Sequence, residues 1–176
     1  APGLPIVMVY AGDPVGARFV ASLARPGGDL TGTSAAGEEV LAKQLELLSA
    51  AVPQLKQVGV LMNSANPANG FFFDAMASRV DRIDVAAERE LEAAVARAKG
   101  GALVVVGDPM FFRERVHLVE LTLRSRVPAV FGSPEYVDVG GLMSYLSSNE
   151  WHWRTAASFV DKILKGAKPA NIPVEQ

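Results

Sequence analysis

Two aspartates in this chain of 176 residues share one local frame, Gly12-Asp13-Pro14 and Gly107-Asp108-Pro109, each directly after an apolar run. A carboxylate so placed has two uses. It can accept from the ammonium or hydroxyl of a ligand, or it can cap the following helix by accepting orphan backbone N–H groups, a contact worth about 1 kcal/mol. Asn63, Ser64 and Asn66 end another apolar run; side-chain amides there suit a polar ligand, and as turn formers they need none. Phe111 or Phe112 can stack on an apolar or aromatic ligand for about 0.5–1.5 kcal/mol beyond area burial. Aromatics at the start of a helix are more often core.

Catalytic chemistry finds few residues to use. The two histidines, His117 and His152, have no second ligand at metal spacing, so no metal is expected. Gly32-Thr33-Ser34-Ala35-Ala36-Gly37 is one residue too long for a nucleophile elbow. Neither a dinucleotide fingerprint nor a phosphate-cradling loop occurs, and no cofactor is expected. Asp81, Asp84 and Glu88 form an acidic cluster that a solvated edge explains.

The elements that must position these residues repeat one pattern. Ala102–Val106 is a valine-rich run without polar alternation, as a strand buried on both faces of a parallel sheet reads. Gly107-Asp108-Pro109 stops it and opens a helix. Ile6–Tyr10, Val58–Met62 and Ala129–Phe131 also end in small polar residues and proline, so four strand ends collect at one edge of an α/β sheet, where ligands bind. Between them the spacing predicts helices over Val15–Leu23, Gly37–Ala51, Pro67–Met76, Glu88–Lys99, Phe111–Arg126 and Trp151–Leu164. Their apolar stripes are Leu41, Leu45, Leu48 and Val52; Leu91, Val95 and Ala98, expected inward; Val116, Val119 and Leu123 on one side; and Trp153, Ala156, Ala157, Val160 and Leu164, with core packing, a lobe contact and a partner surface all open for Trp151 and Trp153. Leu30–Ser34 and Leu142–Tyr145 read as short strands, and Val80–Val85 as an edge strand.

With 49% apolar residues and a formal net charge of −2, nothing marks a nucleic-acid surface or a disordered tail. Apolar stretches break within about eight residues, short of the roughly 20 that cross a bilayer. Cysteine is absent, which removes disulfides and thiolate chemistry. Ala1–Pro5 has neither the basic nor the apolar region of a signal peptide.

The order of motifs resembles a known family. Val7–Ser34, L-M-N-S-A-N-P, V-V-V-G-D-P, Gly140–Tyr145 and the closing V-D-K-I-L-K-G-A-K-P-A-N-I-P-V-E-Q are together similar to the extracytoplasmic substrate-binding proteins of an ABC-transporter family. The resemblance implies an α/β fold of periplasmic-binding-protein type I: a three-layer, doubly wound, mostly parallel sheet in an incomplete two-lobe architecture, with a ligand cleft between lobes. Residues 1–29 would be a remnant of lobe one, 30–165 lobe two and 166–176 a crossover tail. It places Gly132, Ser133 and Tyr136 in a stretch expected to line the cleft. The expected ligand contacts are therefore Asp13, Asn63, Asn66, Asp108, Phe111, Ser133 and Tyr136.

The implied function is a non-enzymatic, periplasmic receptor that captures a small polar ligand and delivers it to the membrane permease of an ABC transporter; the resemblance points to amino acids, aromatic ones included, while sugars and small carboxylates fit the same residue types. No nucleic-acid partner is expected, and the exposed first strand should self-associate. Two other classes stay open at this stage. An effector-sensing domain of a transcription regulator would be a homodimer beside a helix-turn-helix, and a small α/β enzyme would use Asp13 or Asp108 as base.

Overall fold

A strand buried on both faces has no solvent side to mark with polar residues, and the run at Ala102–Val105 obeys this fully: all four of its residues are buried. The computed structural model describes residues 3–35, 37–66, 80–146 and 149–176. Its strands are β1 (Ile6–Ala11), β2 (Leu30–Ser34), β3 (Val58–Asn63), β4 (Asp81–Val85), β5 (Ala102–Val105), β6 (Ala129–Phe131) and β7 (Met143–Ser144). Its helices are α1 (Gly37–Ala51), α2 (Leu91–Arg97), α3 (Pro109–Arg113), α4 (Arg115–Ser125), α5 (Glu135–Asp138) and α6 (Asn149–Leu164). The expected helix Pro67–Met76, with Phe71 to Phe73, lies outside the described residues.

The chain forms two compact units, Ala1–Gly37 with Ser147–Gln176, and Glu38–Leu146. The division differs from the expected boundary at residue 29. Strand β2 stays with β1 because the two pair in parallel from Ile6↔Leu30, and the tail joins them through the Thr31 hydroxyl, which donates to the Ile172 carbonyl at 2.8 Å. Gly32 is required in this pairing: its φ is +139°, and a Cβ would stand 2.1 Å from the Met8 carbonyl oxygen.

In the larger unit five parallel strands run in the order β4-β3-β5-β6-β7. Counted within the unit, that is second, first, third, fourth, fifth, so the winding reverses between β3 and β5. One face of the sheet, with Val58, Val60, Met62, Val104 and Val130, packs on Leu41 and Leu48 of α1. The other, with Leu61, Ile83, Leu103, Val105 and Phe131, packs on α2 and α4 through Leu91, Val95, Leu118, Val119 and Leu121. Fully burying one such side chain stabilises by roughly 1.5–3 kcal/mol. Strand β4 is the expected edge: only Ile83 and Val85 of its five residues are buried.

The structure departs from the sequence expectations at several elements. No helix forms over Val15–Leu23; after one turn on Asp13, Arg18 takes a left-handed conformation at φ +59° and stops it. The helix expected over Phe111–Arg126 breaks at Glu114, and α4 buries Leu118, Val119, Leu121 and Thr122 while Val116 and Leu123 are exposed. Helix α6 buries His152, Ala156 and Phe159, leaving Trp153 65% and Leu164 82% exposed. The last strand shrinks to Met143–Ser144, and the first turn of the helix expected from Glu88 is a 3-10 turn, Glu88–Glu90.

Candidate ligand-binding site

Ligands of open α/β sheets sit beyond the carboxyl ends of the strands where the winding reverses. Here that point lies between Asn63, the last residue of β3, and the loop that follows β5. Asp108 stands in that loop, 5% exposed. Its Oδ1 accepts from the Asn63 side-chain amide at 3.0 Å, and its Oδ2 from the Asn66 side-chain amide at 2.8 Å. Oδ1 also accepts from the backbone N–H of Met110 at 2.8 Å, which caps α3 with Pro109 in the first helical position. The carboxylate caps α3 and at the same time accepts from two side-chain amides.

The amides are themselves fixed. Asn63 Oδ1 accepts from the Ala65 N–H at 3.0 Å, and the Asn63 carbonyl from the Asn66 N–H at 3.1 Å. This turn tethers the end of β3 to the loop after β5, and a buried carboxylate requires such donors to offset its desolvation.

The next strand end, after β6, brings Ser133 and Tyr136 to the same edge. Gly132 lets the two loops touch: a Cβ there would lie 3.1 Å from the Gly107 nitrogen. The Ser133 hydroxyl is buried and has no hydrogen-bond partner among the described residues. Tyr136 is buried, stacked on Phe131 with ring centroids 4.6 Å apart. Burial pushes its phenol pKa well above the ordinary tyrosine value; the Asp108 charge pushes it the same way, and the Arg115 cation opposes both.

Phe111 is a correction. Its ring is fully buried in the core against the sheet, so it has no surface to stack on a ligand. Phe112, 37% exposed, is the ring that emerges, edge-on to Tyr136 at 6.4 Å and with the Arg115 guanidinium carbon 5.0 Å from its centroid. The sequence reading missed Arg115. Its signal was the i, i+3 spacing from Phe112 within the single helix expected there; the break at Glu114 instead leaves the two in contact between α3 and α4.

Asp13 belongs to the smaller unit. Its Oδ1 accepts from the N–H groups of Val15 at 3.1 Å and Gly16 at 2.8 Å, at the carboxyl end of β1. A second polar cluster of that unit was also missed. Tyr10 sits in a bulge at φ +57° and donates its N–H to Thr33 Oγ1 at 3.0 Å; the same oxygen stands 3.1 Å from Nδ1 of the buried His152. The Tyr10 ring meets the imidazole edge-on at 4.9 Å. Burial raises the Tyr10 phenol to about 12 and lowers the His152 imidazole.

Cavities open on two sides of the larger unit. One of about 380 Å³ is lined by Ala86, Ala87, Glu88, Arg89, Met110 and Arg113, next to the start of α3. The other, about 280 Å³ among Gln57, Asp81, Arg82 and Arg97, opens at the opposite edge of the sheet and has no share in the Asp108 cluster. Among the described residues no group of three or more His, Asp or Glu could hold a metal, and no helix is long and apolar enough to cross a membrane.

Comparison with known proteins agrees with this fold. The family model for ABC transporter substrate binding proteins matches residues 2–176. A tyrosine-binding protein of Clostridioides difficile (strain R20291) is 24% identical over 180 residues, covering 97% of this chain and 52% of that protein. The crystal structure of an ABC domain in complex with L-Trp from Streptococcus pneumonia is 27% identical with a TM-score of 0.84, over 99% of this chain and 62% of that one. A conserved domain protein from Vibrio cholerae O1 biovar El Tor str. N16961 is 21% identical with a TM-score of 0.85, over the same shares. The chain thus spans about half the length of the tyrosine-binding relative, and its fold is the mixed α/β, parallel-sheet fold of periplasmic binding proteins.

Proposed function

Because the chain belongs to the ABC transporter substrate binding protein family, we propose that it is the solute-capturing part of an ABC importer and that its solute is an α-amino acid, aromatic ones foremost. The observation that carries this reading is the buried Asp108 carboxylate, held on both oxygens by amides at the point where the winding reverses. A fixed, desolvated carboxylate is a partner for an ammonium group. Asn63 and Asn66 hold it, Ser133 and Tyr136 stand at the next strand end of the same unit, and Phe112 takes the stacking role. Asp13 is a candidate contact at the strand ends of the smaller unit. The names of two relatives, one binding tyrosine and one holding L-Trp, support the amino-acid class.

On this reading the protein works on the extracytoplasmic side of the membrane, passes its ligand to a permease and performs no turnover. The test is a thermal-shift screen of the full-length protein against amino acids, sugars and organic acids. Ligand at 100 times Kd stabilises by about 2.7 kcal/mol. Hits confined to amino acids, recovered unchanged, are the expected result. Hits confined to another class would end the amino-acid reading, and no hits together with a stable homodimer would favour a regulatory effector domain.

A further inference from the structure

Resting on that amino-acid reading, we infer that Arg115 reads the carboxylate of the ligand, so that Asp108 and Arg115 together select a zwitterion over its amine and acid analogues. Arg115 opens α4 and is half-buried. Its neighbours in sequence, Arg113 and Arg124, spend their charges on Glu88 and Glu92 at the surface. Arg115 has no carboxylate partner among the described residues. Its guanidinium instead lies over the Phe112 ring, 5.0 Å from the centroid, and donates from Nη1 to the Phe112 carbonyl at 3.1 Å.

A guanidinium carries five N–H donors in a rigid fork that matches a carboxylate in bidentate fashion. Stacking on a ring and one bond to a carbonyl orient that fork without neutralising it. The cation is therefore positioned and still carries its full charge.

Asp108 and Arg115 also sit at the two ends of α3: Asp108 caps its start, and Arg115 donates to the Phe112 carbonyl near its end. Phe112 meets Tyr136 edge-on, and the Tyr136 hydroxyl feels the Asp108 charge and the Arg115 charge with opposite sign. The exposed Phe112 ring thus carries the cation on its face and meets Tyr136 at its edge, one turn beyond the end of α3 that Asp108 caps; an aromatic α-amino acid offers an ammonium, a carboxylate and a ring to such a set.

Calorimetric titration of the full-length protein tests the assignment with L-tryptophan, L-tyrosine, tryptamine, which lacks the carboxylate, and indole-3-propionate, which lacks the ammonium. Arg115→Gln should weaken L-tryptophan and L-tyrosine by about tenfold or more and leave tryptamine unchanged. Arg115→Lys should recover part of the loss, because it restores charge without the fork. Equal weakening of L-tryptophan and tryptamine in Arg115→Gln would reduce Arg115 to a structural part, and so would unchanged L-tryptophan affinity; either result overturns the assignment while leaving the amino-acid reading intact. A wild-type protein that binds none of the amino acids ends both.

Discussion

The side-chain amide of Asn63 donates to the buried Asp108 carboxylate at 3.0 Å, joining residues 45 apart in the chain. The bond crosses the place where the strand order reverses. With Asn66 on the other carboxylate oxygen, it makes the loops after β3 and β5 one hydrogen-bonded piece.

Asp108→Asn should destabilise the protein by about 1–3 kcal/mol, because its new amide hydrogens would face the amide of Asn63 or Asn66. The double variant Asp108→Asn with Asn66→Asp restores one donor to one acceptor and should recover part of that loss. Urea denaturation of the single and double variants measures the coupling. Simple additivity would mean that the 2.8 Å bond to Asn66 carries no weight.

The two adjacent phenylalanines should separate stability from binding. Phe111→Ala removes a fully buried ring and should cost about 3–5 kcal/mol in denaturant melts. Phe112→Ala should cost under about 1 kcal/mol, as exposed positions do, yet weaken an aromatic ligand. The reverse ranking in denaturant would contradict the packing of α3.

Acid should weaken the smaller unit through His152. Its folded pKa is lowered from the ordinary 6.5 by burial, so below about pH 6.5 the unfolded chain takes up a proton that the folded one refuses. The associated stability is complete above 6.5 and is lost as pH falls towards the folded value. Melting temperatures between about pH 8 and 5 should decline more for the wild type than for His152→Gln. A parallel decline in both would assign the effect to other groups.

Strand β1 is paired on one edge only among the described residues. An open strand edge recruits another strand, so residues 1–176 alone should self-associate, and Ile6→Lys, at an exposed position of β1, should shift the chain towards monomer. Sedimentation velocity reads the change; identical profiles would remove β1 from the contact.

Legibility in the sequence followed burial. Strand β5 was readable because both its faces are covered, leaving an unbroken apolar run, and α1 because Leu41 and Leu48 keep the helical period. The buried face of α6 was not legible, because its core side contains a histidine and its exposed side a tryptophan and a leucine, so polarity does not mark it. The Val15–Leu23 stretch has a helical period, but Arg18 adopts a left-handed conformation that no spacing of apolar residues signals. Of the site, Asn63, Asn66 and Asp108 were visible as residues that end strands. Their convergence on one carboxylate was not, because it depends on β3 and β5 being neighbours, and that order is set by packing across the sheet. Phe111 and Phe112 were indistinguishable for a related reason: which of two adjacent rings turns inward depends on where Asp108 and Pro109 begin the helix.

Helix α6 carries both tryptophans of the chain, Trp151 and Trp153, and residues 38–146 contain none. Within residues 1–176, native indole emission is therefore a reporter confined to the smaller unit, spectrally silent about the five-stranded sheet. Titrated with tyrosine or another ligand lacking indole, an unaltered protein would give a fluorescence change only to the degree that binding alters the surroundings of α6, and a single tryptophan placed at Phe112 would add a second reporter at the Asp108 edge.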